Sequence, residues 1–105
     1  MNFFAEINKI LLEMAKAIPD KWKDLAVYLN HGLEKIKKIQ LNHREDVTWQ
    51  GFTMLTFWWD TREKNQLWYH ELADAFRKIE KNNLAEKVVH EGASVAKRLD
   101  RKSVV

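Results

Sequence analysis

The sequence predicts an all-α protein, a compact bundle of six helices joined by short loops. Three observations lead to this prediction. The chain has 105 residues but only three glycines and one proline, so it lacks the residues that usually mark frequent turns. Its apolar residues recur at three- and four-residue intervals in six successive segments. No stretch of useful length alternates apolar and polar residues as a half-buried strand does.

The first two predicted helices are separated by the single proline. Apolar residues at helical spacing occupy residues 3–18, and Pro19 ends this helix because proline cannot continue its hydrogen-bond ladder. Pro19 and Asp20 then open a short second helix. One face of that helix is apolar and carries Trp22, Leu25, Ala26 and Leu29.

The third and fourth predicted helices follow a turn at residues 30–32. The sequence Asn-His-Gly at these positions is a stop signal, with Gly32 where a left-handed cap is expected. The third helix places three apolar residues between charged ones, namely Leu33, Ile36 and Ile39. The fourth begins at Asp46, a predicted N-cap, and continues through Trp59.

The last two predicted helices are divided by the Asn82-Asn83 pair, which we expect to end the fifth helix. The apolar stripe of the fifth consists of Trp68, Leu72, Ala75, Phe76 and Ile79. The sixth carries Leu84, Ala85, Val88 and Val89 and is predicted to end at Gly92. We expect one domain over residues 1–92 and a basic tail over 93–105, as a helix extension or disordered. The predicted core comprises Trp22, Leu25, Leu29, Ile36, Met54, Leu55, Trp58, Leu72, Phe76 and Leu84.

The positive charge of the chain is confined to its C-terminal end. Residues 1–46 carry eight basic and seven acidic residues, and residues 47–91 carry six and seven. The net charge of +3 therefore arises in residues 92–105. A nucleic-acid reader usually concentrates charge on a folded face, so nucleic-acid binding through Lys97, Arg98, Arg101 and Lys102 is kept only as the alternative function. Residues 102–105 also resemble a C-terminal PDZ ligand, a short match that is common by chance.

The sequence offers no pattern for catalysis, a metal or a cofactor. Its four histidines, at positions 31, 43, 70 and 90, do not share the four-residue spacing of a helical zinc site. Serine occurs only at positions 94 and 103, glycines stand alone, and cysteine is absent. These facts leave no candidate for a serine nucleophile, a phosphate loop or a thiolate site. We therefore expect no enzyme activity, no cofactor and no small-molecule substrate.

The sequence also predicts no insertion into a membrane. Its longest uncharged stretch, Val47 to Trp59, has 13 residues, whereas a membrane span needs roughly 20 mostly apolar ones. The first ten residues lack the basic patch and continuous apolar run of a signal peptide. A cytoplasmic location is expected, either free or in the cytoplasmic tail of a larger receptor or scaffold.

Four segments of the chain, spread over residues 5–91, resemble the helix patterns of one known family. WKDLAVYLN looks like the W-x-x-L-A-x-x-L of that family, and GLEKIKKI is similar to its next helix. QGFTMLTFWW resembles the Q-x-x-x-M/L-L-x-x-W pattern, carried here by Gln50, Met54, Leu55 and Trp58. LADAFRKIEKNNLAEKVV is similar to the closing segment, with Phe76 in place of the usual leucine. The family that these segments resemble is the death domains, and individual pieces are similar to those of the Fas receptor, the Fas-associated adaptor, ankyrins and netrin receptors.

This resemblance implies a fold and a function. The fold is an antiparallel six-helix Greek-key bundle. The function is non-enzymatic: homotypic docking with other death-domain proteins, or self-association, to assemble signalling complexes in apoptosis or inflammation. Family members often carry charges on the fourth helix, whereas none occurs here between Val47 and Trp59. A charge-driven interface is therefore not expected on this helix.

The fourth helix contains more aromatic residues than one buried stripe can hold. At 100° per residue, an arc of about 100° contains Val47, Gly51, Met54, Leu55 and Trp58, and we expect this arc to face the core. Outside it lie aromatic residues, which we predict to form a partner-facing patch of Trp49, Phe52 and Trp59. Phe57 is interpreted as a boundary residue. Further contacts with a partner are predicted for three lysines of the second and third helices, Lys23, Lys35 and Lys38.

Overall fold

The computed structural model describes residues 3–62 and 67–103, with side chains described for residues 5–62 and 67–98. The six helices are α1 (Phe3–Ala17), α2 (Trp22–Tyr28), α3 (Leu33–Asn42), α4 (Val47–Thr61), α5 (Trp68–Lys78) and α6 (Asn82–Ser103). No strand occurs among the described residues. The all-α class with six helices, predicted from apolar spacing, is thus confirmed.

The chain divides into two compact units, and the first comprises α1 to α4. Helix α4 is its centre, because it packs against α1, α2 and α3. The buried face of α4 includes Met54, Leu55 and Trp58, as the helical spacing predicts, whereas Val47, at the first position of the predicted arc, is 40% exposed. The other helices of this unit bury apolar side chains that include Leu11, Met14, Trp22, Leu25, Leu29, Ile36 and Ile39.

A glycine permits the close approach of α4 to its neighbours in the first unit. A Cβ atom added at Gly51 would lie 3.3 Å from the Cβ of Trp22 and 3.5 Å from the Cβ of Ala15. Both neighbouring atoms are fixed directly to their backbones, so they cannot rotate away. The contact with Trp22 would be tighter than usual, whereas that with Ala15 is ordinary van der Waals contact, so the glycine matters mainly for the approach of α4 to α2.

The second unit comprises α5 and α6, which pack against each other. Its buried side chains include Trp68, Leu72, Phe76, Ala85 and Val88. Gly92 of α6 lies so close to Tyr69 of α5 that an added Cβ would overlap the Cβ and ring of this tyrosine. The contact places the two helix backbones close together at this point.

The structure corrects the predicted turns. The residue with left-handed backbone conformation after α2 is Asn30, with φ of 68°, whereas Gly32 has φ of −72° and is the N-cap of α3. Asparagine adopts this conformation more readily than most residues because its short polar side chain bonds locally. The fifth helix ends before Glu80, which has φ of 62°. The Asn82-Asn83 pair does not end that helix but begins α6.

The structure also corrects the predicted end of the sixth helix. It does not end at Gly92 but continues through Ser103, because a single glycine costs a helix only about 1 kcal/mol relative to alanine. Val95, beyond the predicted end, is buried. Leu84, predicted for the core, is only half-buried, since Ala85 and Val88 occupy the buried face instead. The proposed PDZ-ligand end falls partly outside the described residues, at positions 104 and 105.

Candidate docking surface on helix α4

The N-terminus of α4 is fixed by Asp46, as predicted. A carboxylate oxygen of Asp46 accepts a hydrogen bond from the backbone N–H of Trp49 at 2.9 Å. This bond satisfies one of the donors that a helix start leaves without an intrahelical partner. The cap therefore anchors the first turn of α4, which carries Trp49.

Trp49 and Phe52 form an aromatic pair on the exposed side of α4, which we call the α4 patch. The side chain of Trp49 is 45% exposed and that of Phe52 is half-buried. Their ring centroids are 5.0 Å apart, with a tilt of 53° between the ring planes. This lies within the range of favourable aromatic pairing, so Phe52 supports Trp49 in a defined position at the surface.

Two threonines near the α4 patch, Thr53 and Thr56, have their hydroxyl groups in contact with other atoms of the first unit. The hydroxyl of Thr56 donates to the backbone carbonyl of Thr53 at 2.9 Å. The hydroxyl of Thr53 itself lies 3.4 Å from Nε2 of His43. No ionisable residue occurs in α4 before Asp60. Residues 47–59 of α4 thus add no charge beside the patch, although the Asp46 carboxylate lies at the N-cap, and these two hydroxyl groups are engaged within the unit.

Trp59 does not belong to the α4 patch, and its prediction as a partner-facing residue is wrong. Its side chain is only 5% exposed. The centroid of the Trp59 ring lies 6.4 Å from the centroid of the Trp58 ring and 6.0 Å from the guanidinium carbon of Arg62. Because α4 packs against three helices, its buried arc is wider than the single stripe that the wheel assumes. The second exposed aromatic of α4 is Phe57 instead.

The three predicted contact lysines differ in their surroundings. Lys23 of α2 and Lys38 of α3 are exposed. Lys35 is half-buried, and its Nζ lies 4.5 Å from the ring centroid of Phe57. This distance is that of a cation–π contact, so Lys35 links α3 to α4 within the first unit. Of the three lysines, Lys35 contacts α4, and it does so at Phe57 rather than at the α4 patch.

A buried hydrogen-bond network lies on the inner side of α4. The indole N–H of Trp22 donates to the side-chain oxygen of Gln50 at 3.1 Å. The amide nitrogen of Gln50 donates to the backbone carbonyl of His43 at 2.7 Å. One signal in the sequence could have indicated this network, because the N–H of a tryptophan on an apolar face needs an acceptor when it is buried. Helical spacing alone placed Gln50 on the flank.

The histidines are dispersed rather than clustered. His31 lies in the turn between α2 and α3, and His43 follows α3 directly. His70 lies on α5 with its ring 4.6 Å from that of Tyr69, and His90 is exposed on α6. Within the described part of the chain, no group of three or more histidine, aspartate or glutamate residues could hold a metal ion. No helix in that part is both long and apolar enough to span a bilayer.

A comparison with protein families decides the assignment. The death-domain model matches residues 5–91, which include all of α2 to α5. The chain belongs to the death-domain family. Death domains are protein–protein interaction modules without enzymatic activity, and they bind other death-fold domains. No curated protein and no solved structure matches this chain.

Proposed function

We propose that this death domain docks with other death domains, or with a second copy of itself, and that the α4 patch is part of the docking surface. The single observation that carries the proposal is the exposed Trp49, paired with Phe52 on a helix that has no charged residue before Asp60, in an interaction module. Tryptophan is among the residues that contribute most to binding at protein interfaces. The role in assembling apoptotic or inflammatory complexes is part of the same proposal.

The small size of the α4 patch limits its contribution to the free energy of binding. Covering Trp49 and the exposed edge of Phe52 would remove on the order of 150 Å² of apolar surface from water, equivalent to about 4 kcal/mol. Association itself costs an estimated 4–15 kcal/mol. The patch alone therefore does not hold a stable pair, and we propose additional contacts through Lys23 and Lys38. Exposed lysines of this kind mainly steer association and orient the partner.

The experiment is a replacement of the exposed aromatic by a charge. Trp49→Glu is compared with Leu67→Glu, which introduces the same charge at an apolar side chain that is also exposed but lies before α5. Helicity and the urea midpoint of both variants are checked first. Sedimentation then measures self-association, and titration calorimetry measures binding to a panel of purified death domains.

We expect Trp49→Glu to weaken self-association or binding at least tenfold and Leu67→Glu to leave both unchanged. If the folded Trp49→Glu protein associates and binds like the parent, the α4 patch is not a docking surface. Equal losses in both variants would point to a general effect of added negative charge instead.

A further inference from the structure

A second surface, on α3, has a composition different from that of the α4 patch. Helix α3 buries Ile36 and Ile39 in the first unit. Leu33, the first residue of the helix, is 66% exposed, and Leu41, near its end, is 60% exposed. Both leucines are more exposed than any aromatic side chain of α4. The two are eight residues apart, so they lie about 12 Å apart along one side of the helix.

Charged residues accompany these leucines. Lys37 lies between them at the four-residue spacing that places all three on one line of the helix surface. Lys38 and Glu34 are exposed beside this line. With Lys35, three lysines and one glutamate give α3 a net charge of +2. We call the line of Leu33, Lys37 and Leu41 the α3 ridge.

We infer that the α3 ridge binds an amphipathic helix of a partner protein whose apolar residues are flanked by carboxylates. Apolar side chains of that helix would cover Leu33 and Leu41, and its carboxylates would pair with Lys37 and Lys38. A linear ridge of this kind packs into the groove between the side-chain rows of another helix. The partner need not be a death domain. Lys38 is shared with the docking surface of the proposed function, whereas Leu33, Lys37 and Leu41 are not, so the two proposals can fail separately.

Charge complementarity favours a protein helix over an anionic bilayer as the occupant. A lysine near an anionic bilayer strengthens binding by about fivefold, but Glu34 on the same side opposes such an approach. The α3 ridge also lacks tryptophan and tyrosine, the residues that favour the lipid headgroup region. A partner helix, in contrast, can place a basic residue opposite Glu34 and acidic residues opposite the lysines.

The test uses two designed peptides and the intact protein. The first is an 18-residue helical peptide with leucines along one face and glutamates on both flanks; in the second, every glutamate is replaced by lysine. Binding is followed by backbone amide shifts and by anisotropy of the labelled peptide at low and high salt. Leu33→Ser with Leu41→Gln removes the apolar part of the ridge, and Leu67→Ser is the matched control at an exposed leucine outside α3.

We expect the acidic peptide to bind at least tenfold more tightly than the basic one and to shift amides of residues 33–42. High salt and the double variant should each weaken binding at least fivefold, while Leu67→Ser and Trp49→Glu should have no effect. Equal binding of both peptides, or shifts confined to other helices, would overturn the inference, as would tighter binding to phosphatidylserine vesicles than to the acidic peptide. The amide shifts of the parent protein decide the matter even if the double variant loses its fold.

Discussion

Gln50 is the polar side chain that the fold buries most completely among the described residues, at 4% exposure. Its amide accepts from Trp22 and donates to the carbonyl of His43. The network joins α2, α4 and the residue that follows α3, so one side chain ties together three parts of the first unit. Buried polar groups of this kind stabilise a fold only when every partner is present.

Replacing Gln50 with leucine tests this network. The variant leaves the indole N–H of Trp22 and the carbonyl of His43 without their partner, and each buried orphan costs about 1–3 kcal/mol. We expect the free energy of unfolding to fall by about 2–4 kcal/mol, measured by urea titration. The control is Gln40→Leu, at an exposed position of α3, where a surface change should stay within about 0.5 kcal/mol. Equal effects at the two positions would show that the network contributes nothing.

His31 provides a pH-dependent contribution to stability. Burial, and to a lesser extent the charge of Lys35, lowers the pKa of His31, while a hydrogen bond with the backbone of Met54 acts in the opposite direction. Its ring atom Nε2 is enclosed and lacks a hydrogen-bond partner. The folded protein therefore favours the neutral ring, whereas the unfolded chain takes up a proton near pH 6.5.

Stability should consequently fall as the pH decreases below about 6.5, because the unfolded state then binds more protons than the folded state. The loss levels off only below the folded-state pKa. Urea titrations between about pH 7 and pH 5 should show a weaker pH dependence for His31→Gln than for the parent. His90→Gln, at an exposed histidine of α6, should follow the parent. A parallel pH dependence in all three proteins would rule out a contribution from His31.

At the scale of whole elements, the helices were predictable from apolar spacing, and their ends were less so. Asp46 was identified because its carboxylate forms a local bond to the third residue after it, a geometry that depends on sequence neighbours alone. The end of α6 was predicted wrongly, because a glycine such as Gly92 ends a helix only where tertiary contacts do not favour its continuation. Here the glycine leaves room for Tyr69 of α5 to pack against the backbone of α6. The breadth of the buried arc on α4, and hence Trp59, likewise depends on neighbours distant in sequence.

Gly92→Ala is a test of that contact. Alanine favours a helix by about 1 kcal/mol over glycine, so propensity alone predicts a more stable protein. The added methyl group would overlap the Cβ of Tyr69, which cannot rotate away. We therefore expect a net loss of about 1–3 kcal/mol in unfolding free energy. Ser94→Ala, at an exposed position on the same helix, should be neutral or slightly stabilising. A stabilised Gly92→Ala protein would show that α5 and α6 separate at little cost.

For the molecule as a whole, the family, the all-α class and the absence of charge in α4 before Asp60 could be predicted from the sequence. The composition of the docking surfaces could only partly be predicted. Trp49 was correctly predicted to be exposed, because helical spacing places it opposite the core arc of its own helix. The exposure of Leu33 and Leu41 was missed, because an apolar residue at helical spacing is ordinarily interpreted as part of the core. Only the packing of α3 on α4 shows which side of α3 remains in water.

The two surfaces should respond differently to salt. The α4 patch carries no charge, and apolar contacts are not weakened by screening. Self-association through it should weaken only slightly between about 50 and 500 mM NaCl, as measured by sedimentation, because only the contacts of Lys23 and Lys38 are screened. Binding of an acidic helix to the α3 ridge should weaken over the same range. Self-association that disappears at high salt would mean that Lys23 and Lys38, rather than Trp49, dominate it.

The distribution of tryptophans gives the protein an intrinsic optical reporter. Of its five tryptophans, Trp22, Trp58, Trp59 and Trp68 are buried, and only Trp49 is exposed. Collisional quenching by iodide or acrylamide in the folded state will therefore remove mainly the long-wavelength emission of one indole. Any partner that covers the α4 patch will protect this fraction from quencher and shift it to shorter wavelength, whereas a ligand on the α3 ridge will not. Unlabelled protein thus distinguishes occupancy of one face from occupancy of the other.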